Sequence, residues 1–192
     1  MLTVKKLALT TLISSSLLFY PALQASAETP QHVVKQPAGG YSVQVGDIMV
    51  TSFTDGTVAQ DLHKLLRRTT PQKTDALLTQ NFQTNPVEAS INAFLIALPG
   101  HKILVDTGSG QLFGPGNGGR LIESLATQGI APQDITEILL THAHSDHAGG
   151  LVKDGKAVFT NARVFVGKPD IDFFFNNDNQ KKTGYDPNYF EV

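Results

Sequence analysis

Four side chains able to bind a divalent metal fall within six consecutive positions of this chain. They are His142, His144, Asp146 and His147, in the run Thr141-His142-Ala143-His144-Ser145-Asp146-His147-Ala148-Gly149-Gly150. Neutral imidazole and carboxylate oxygen are good ligands for Zn²⁺. In an extended segment residues i and i+2 point the same way, so His142 and His144 can share one metal. Asp146 and His147 then lie past the turn, in the first turn of a helix, where they can reach a second metal. Gly149 and Gly150 let the backbone pass close to the site because no Cβ stands in the way. The plain alternative is an exposed loop of solvated histidines. Against it stands the context: an apolar strand over residues 136–140 delivers the run, and a loop-to-helix transition holds it.

The chain around this run predicts strands first and then helices alternating with strands, a pattern that suits central sheets with helices outside. Residues 41–50 read as two strands joined near Gly46-Asp47, and Asp55-Gly56 as a turn. Residues 61–68 and 74–82 read as short helices, the second with Leu77, Leu78 and Phe82 as its apolar face. Residues 91–98 and 102–105 form a hairpin across Pro99-Gly100. Residues 120–128 form a helix with Leu121, Ile122 and Leu125 on one face, stopped by Gly129. Residues 158–166 are strand-like, and 168–176 form a helix opening with Pro169 in its first turn.

Asp106 ends the strand Ile103-Leu104-Val105. There it either holds a ligand histidine in its correct tautomer or closes a simple turn. The glycine-rich stretch 108–119 has neither a Gly-Lys-Ser/Thr ending nor a regular Gly-x-Gly-x-x-Gly, so it is no phosphate loop. It reads as a flexible pocket rim, with Phe113 an exposed aromatic on it. Phe173-Phe174-Phe175 cannot all face one side of a helix, so at least one is free to line a pocket or an interface. His32, His63 and His101 lack partners in sequence and read as surface residues.

Hydrophobic residues make up 41% of the 192 residues and charged residues 17%, with a net charge of -2. That composition fills a core. It contains no basic block for nucleic acid and no acidic tail for a charged partner. Lys5 and Lys6, the apolar stretch 7–19 and Ala25-Ser26-Ala27 read as a signal peptide over 1–27, cut before Glu28. The apolar stretch is shorter than the roughly 20 residues a bilayer span needs. The protein is therefore expected to be exported, periplasmic or secreted, and not membrane-bound after cleavage. Residues 28–40 read as a flexible leader. There is no cysteine, so metal ligands must be His and carboxylate, and disulfides are excluded.

The run His142-Ala143-His144-Ser145-Asp146-His147 with Gly149-Gly150 resembles the hallmark of the metallo-β-lactamase superfamily. Leu104-Val105-Asp106-Thr107-Gly108 resembles its earlier motif, and the resemblance covers residues 41–179. Thr54-Asp55-Gly56-Thr57-Val58, Pro86-Val87-Glu88-Ala89-Ser90 and Gln111-Leu112-Phe113-Gly114-Pro115 are most similar to the methyl parathion hydrolase branch. That branch contains exported enzymes and is related to the quorum-quenching lactonases.

The resemblance implies an α/β fold, the αββα sandwich. It also implies two divalent metal ions, Zn²⁺ foremost, and a small-molecule ester, lactone or phosphotriester cleaved by a hydroxide that the metals activate. His142 and His144 would hold one metal, and Asp146 and His147 the other. Asp146 would also orient the nucleophile and carry its proton. Asp106 and Thr141 would support the ligands from behind, and Phe113 and Phe174 would line an aromatic leaving-group pocket. β-Lactam hydrolysis is an alternative. One lactamase class has Arg in place of His147 and a later Cys, but another shares the Asp-His pair.

The family pattern needs a further His, a bridging Asp and a second His downstream, and no His follows His147. The expectation is therefore an N-terminal half, with residues 41–192 a truncated domain that is inactive alone. The rival to an enzyme is a catalytically inactive metal-binding remnant. Pairing of copies through the Phe helix is conceivable.

Overall fold

The computed structural model describes residues 40–183. The expected signal peptide, nearly all of the expected leader and residues 184–192 lie outside the described residues. Gly40, placed at the end of the leader, already opens the first strand.

Strand β1 (Gly40–Val45) turns at Gly46-Asp47 into β2 (Ile48–Gln60), which pairs with β3 (Val87–Leu98), itself paired with β4 (His101–Val105). These four run antiparallel in sequence order. Asp55-Gly56, expected to turn the chain, instead sits inside β2. The register slips there between Thr54 and Gly56 while β3 continues to pair on both sides. A β-bulge absorbs the extra residue, and the strand bends without ending.

Two parallel strands complete the six-stranded sheet: β5 (Glu137–Leu139) beside β4, and β8 (Arg163–Phe165) beside β5. A two-stranded ribbon, β6 (Val152–Lys153) and β7 (Lys156–Ala157), lies apart from it. The strand expected over 158–166 shrinks to β8 because Ala162 N–H closes a turn on Phe159 C=O. That turn drops the Phe159 ring into the core.

Alternation along the strands separates two faces. One carries Phe53, Ala93, Leu95, Leu104 and Ile138, all buried, with Leu121 and Leu125 of α3 (Leu121–Ala126) packed on them. Ile122, expected on that face, is partly exposed. The opposite face carries Val43, Phe94, Leu139 and Phe165, all exposed among the described residues. The described residues thus build a helix layer on one mixed sheet, the α/β half of the expected sandwich.

Two helices link β2 to β3. The helix expected over 61–68 is a single turn, α1 (Leu62–Leu65). The next is α2 (Pro71–Gln80), capped by the Thr70 hydroxyl accepting from Lys73 N–H. Its expected apolar face does not form: Leu78 is buried, but Leu77 is exposed and Phe82 lies past the helix end, fully exposed. Among the described residues no helix is long and apolar enough to cross a membrane.

The parallel pairing positions the site. Ile103 lies opposite Glu137 and Val105 opposite Leu139. The two chains therefore leave the sheet side by side, one into Asp106 and the other into Thr141 and His142. Open sheets commonly place their sites at such strand ends.

Candidate metal centre

Asp106 takes the left-handed conformation, φ 62°, one that Asn and Asp tolerate better than most residues. Its N–H donates to Leu139 C=O, and this locks the two strand exits together. Its carboxylate turns towards the histidine run and accepts from Thr141 N–H at 2.8 Å and from the Thr141 hydroxyl at 2.9 Å. Oδ2 also lies 2.8 Å from His147 Nδ1. Of the two roles left open for Asp106, the structure shows the histidine-holding geometry.

The following residues pin the far end of the run. Thr107 N–H and the Thr107 hydroxyl both donate to His147 C=O, and Gly150 N–H donates to Gly108 C=O. A Cβ on Gly150 would lie 2.0 Å from Thr107 O, and one on Gly149 2.4 Å from Ser109 O. Only glycine permits this approach, as the sequence implied. Helix α4 (Ser145–Ala148) starts directly after His144, so Asp146 and His147 do stand in a first helical turn.

The donors gather as two pairs. His142 Nε2 lies 3.1 Å from His144 Nδ1, and Asp146 Oδ2 lies 3.3 Å from His147 Nε2. The His142 and His147 rings are 3.9 Å apart, so the pairs adjoin. Two ligands on a tetrahedral ion with bonds of 2.0–2.1 Å stand about 3.3 Å apart, and both pairs fit that edge. Among the described residues no group of three or more His, Cys, Asp or Glu is arranged to hold one ion. Two adjoining pairs satisfy both observations.

Hydrogen-bond logic sets the tautomers. The Thr141 hydroxyl has one proton, donated to Asp106, so towards His142 Nδ1 at 3.1 Å it can only accept. His142 then keeps its proton on Nδ1 and turns the Nε2 lone pair towards His144. His147 gives its Nδ1 proton to Asp106, which leaves Nε2 facing Asp146. A carboxylate behind a ligating histidine fixes ring orientation and raises ligand basicity.

The electrostatics follow from these contacts. Hydrogen bonds to Asp106 and then Asp146 push His147 up to about 9, against some burial. Burial works to raise the carboxyl of Asp106, but bonds from His147 and Thr141 outweigh it and hold the group below its ordinary value. Asp146 is lowered in the same way, with His147 overcoming burial. His144 is lowered, first by burial and then by neighbouring His142.

Phe174, near the end of α5 (Lys168–Phe174), stands edge-on to His144 with centroids 5.6 Å apart. An open hollow of about 240 Å³ lies between His144, Pro169, Asp170, Phe173 and Phe174. Phe113 is not brought in. It is half-buried in its loop rather than exposed, its carbonyl accepts from Asn117, and no ring contact joins it to the histidines among the described residues. His101 and His63 are also apart from the centre, paired with Glu137 and Asp75.

Two residues that sequence reasoning missed shape the surroundings. Asp55, wholly buried, accepts from Ser109 N–H, the Ser109 hydroxyl, Gly119 N–H and Leu121 N–H. It thereby fastens the glycine-rich loop and the start of α3 to β2. Asp170, in the first turn of α5, accepts from Ala143 N–H. Local sequence marked the first as a turn residue and the second as an ordinary acidic helix start.

Paired His and carboxylate donors thus gather at the ends of parallel strands. The family model of the metallo-beta-lactamase superfamily matches residues 87–163, which hold both strand exits and the whole histidine run. The chain therefore carries a metallo-β-lactamase superfamily domain. A crystal structure of hydrolase AbOPH in the beta lactamase superfamily is 36% identical with a TM-score of 0.68, covering 77% of this chain and 51% of that one. AidC, a dizinc quorum-quenching lactonase in complex with the product N-hexnoyl-L-homoserine, is 33% identical with a TM-score of 0.68, covering 74% and 49%. Metallo-beta-lactamase domain-containing protein 1 of Mus musculus is 57% identical over 49 residues, 26% of this chain and 17% of that protein. The chain thus spans about half the length of these solved structures, and its match to the curated relative covers a smaller share still.

Proposed function

We propose that this chain supplies ligands for both ions of a dinuclear metallo-hydrolase that cleaves an ester, lactone or phosphotriester of a small molecule. The single observation that carries this reading is the two adjoining donor pairs, His142/His144 and Asp146/His147, each spaced as two corners of one tetrahedron. The likeness to AidC, a dizinc lactonase seen with its product, supports Zn²⁺ as the metal and a lactone as the first substrate to try. The signal-like segment 1–27 supports export to the periplasm or the medium.

Divalent ions held there would supply Lewis acidity and a water ionised near neutral pH. His142 and His144 would present Nε2 and Nδ1 to one ion, and Asp146 Oδ2 and His147 Nε2 to the other. Asp106 keeps the His147 Nδ1 proton away from the metal side, and through Thr141 does the same for His142. Asp146 would accept a hydrogen bond from the attacking water and return its proton to the leaving oxygen. Phe174 would offer an apolar wall beside His144.

A catalytic zinc commonly keeps three protein ligands, and each pair offers two. Among the described residues the reading to test first is therefore metal binding. Zn²⁺ titration with elemental analysis after gel filtration tests it. Two weak sites are expected, with His144→Ala removing one and His147→Ala the other. Unchanged zinc stoichiometry in both variants would sink the assignment. Hydrolysis is to be assayed on an N-acyl homoserine lactone, an aryl ester and an aryl phosphotriester, in a protein whose metal ligands are complete.

A further inference from the structure

We infer that Asp170 is a positioning residue: its carboxylate holds the peptide between His142 and His144 and so sets the spacing of that donor pair. The inference rests on the metal reading above for its purpose, but not for its geometry. Ala143 N–H donates to Asp170 Oδ1 at 3.0 Å. Ala143 itself is buried between the two histidines, so its amide needs a partner inside the protein. Neither strand flanking β5 supplies one, because β4 ends at Val105 and β8 at Phe165. The run beyond Leu140 is loop, and a loop holding ligands to a fraction of an ångström needs anchors of its own.

The anchors are two carboxylates on alternate peptides. Asp106 takes Thr141 N–H, and Asp170 takes Ala143 N–H. The next carbonyl, His144 C=O, is taken by His147 N–H and Ala148 N–H as α4 begins. Backbone from 141 to 144 is thereby tied at three points.

Asp170 can serve because of how α5 starts. Gly167 C=O accepts from Asp170 N–H, and Pro169 presets the first turn. One turn on, Phe174 rests edge-on against His144. Residues i and i+4 of one short helix therefore hold the histidine pair twice, Asp170 by the backbone and Phe174 by the ring. An Asp in a first helical turn is ordinarily explained by the helix dipole. Here its Oδ1 is committed to another segment.

Amide hydrogen exchange and metal competition on the full chain test this together. In the metal-free protein the Ala143 amide is expected to be protected. Asp170→Ala should cost at least tenfold of that protection, and Asp170→Asn, which keeps an acceptor oxygen, less than about threefold. With Co²⁺ competed against a chelator, Asp170→Ala should weaken binding at the His142/His144 pair by about tenfold, the usual scale for an outer partner. Asp170→Asn should restore most of it. Asp172→Ala, on the same helix and paired with Lys168 among the described residues, should change neither readout. Unchanged Ala143 exchange in Asp170→Ala overturns the inference, as does equal loss in the Ala and Asn variants or an equal effect of Asp172→Ala. Wild-type protein that binds no Co²⁺ would overturn the metal reading instead, while the exchange result would still decide the role of Asp170.

Discussion

Asp106→Asn is the substitution that best isolates the electrostatics of the centre. Asparagine tolerates the left-handed backbone at φ 62°, so folding strain is not the variable. It loses the charge and keeps one acceptor oxygen for His147, while its NH2 replaces the oxygen that accepts from Thr141 N–H. In the native protein the Asp106 bond is the largest cause that lifts His147 to about 9. A hydrogen bond to a charged group is worth about 1.5–3 kcal/mol, or about one to two pKa units at 1.36 kcal/mol each. With a neutral acceptor left in place, His147 should fall by about one unit and stability by about 1–2 kcal/mol.

The pH window follows from the direction of the shift. A histidine raised on folding contributes stability that is fully present below its unfolded value near 6.5 and is lost as pH rises through about 9. The lowered carboxyl of Asp106 stays ionised above its ordinary value, so pH 5 to 9.5 isolates the histidine. Urea denaturation of metal-free wild type and variant at pH 6 and pH 9.5 should show the larger gap at pH 6. An NMR titration of His147 gives the pKa directly. An equal gap at both pH values, or an unmoved His147, would refute the argument that Asp106 acts on this centre through charge.

Four further outcomes follow. Metal binding at the Asp146/His147 pair must displace a proton, so its affinity should rise about tenfold per pH unit below about 9. A pH-independent Kd between 6 and 8 would contradict this. Asp55→Ala strands three backbone N–H groups, those of Ser109, Gly119 and Leu121, and should cost about 4 kcal/mol in urea denaturation. Less than about 1 kcal/mol would show the glycine-rich loop is held by something else. Gly150→Ala places a methyl 2.0 Å from Thr107 O. It should pull the strand exits apart and lower Tm markedly, whereas an unchanged Tm would mean the approach is looser than described. Thr141→Val keeps the size and removes the hydroxyl that links Asp106 to His142. It should weaken Co²⁺ binding about tenfold, read by chelator competition, and wild-type affinity would show that His142 is oriented without it.

Much of this was legible in the sequence because it is local. The histidine run, the i and i+2 spacing of His142 and His144 and the helix opening at Ser145 all depend on neighbours within ten residues. The β1–β2 and β3–β4 pairs were legible for the same reason, since a tight turn joins each, whereas the β2–β3 pair spans residues 61–86 and was not read. Failures came where a distant partner overrode a local signal. Asp55-Gly56 has the composition of a turn, but β3 pairs across it and turns it into a bulge. Leu77 and Phe82 have helical spacing with Leu78, but α2 ends at Gln80 and of these three buries Leu78 alone. Phe113, placed at the pocket by resemblance, is half-buried in its loop, where its carbonyl accepts from Asn117.

The two carboxylates that were missed show the same limit from the side of function. Asp55 acts on residues 54 to 66 positions away, and Asp170 on a peptide 27 positions back. No periodicity or spacing rule encodes such a pairing; only the sheet order does, by setting β5 between β4 and β8. That order also explains why both missed residues are acidic. The histidine run and the glycine-rich loop leave the sheet as irregular backbone with N–H groups turned inwards, at Thr141, Ala143, Ser109 and Gly119. A carboxylate offers several lone pairs from one short side chain and donates nothing in return. Asp106, Asp55 and Asp170 thus do the same physical work at three places, ending stray amides beside the site. Of the three, Asp106 alone draws its peptide partner, Thr141, and its imidazole partner, His147, from the one histidine run.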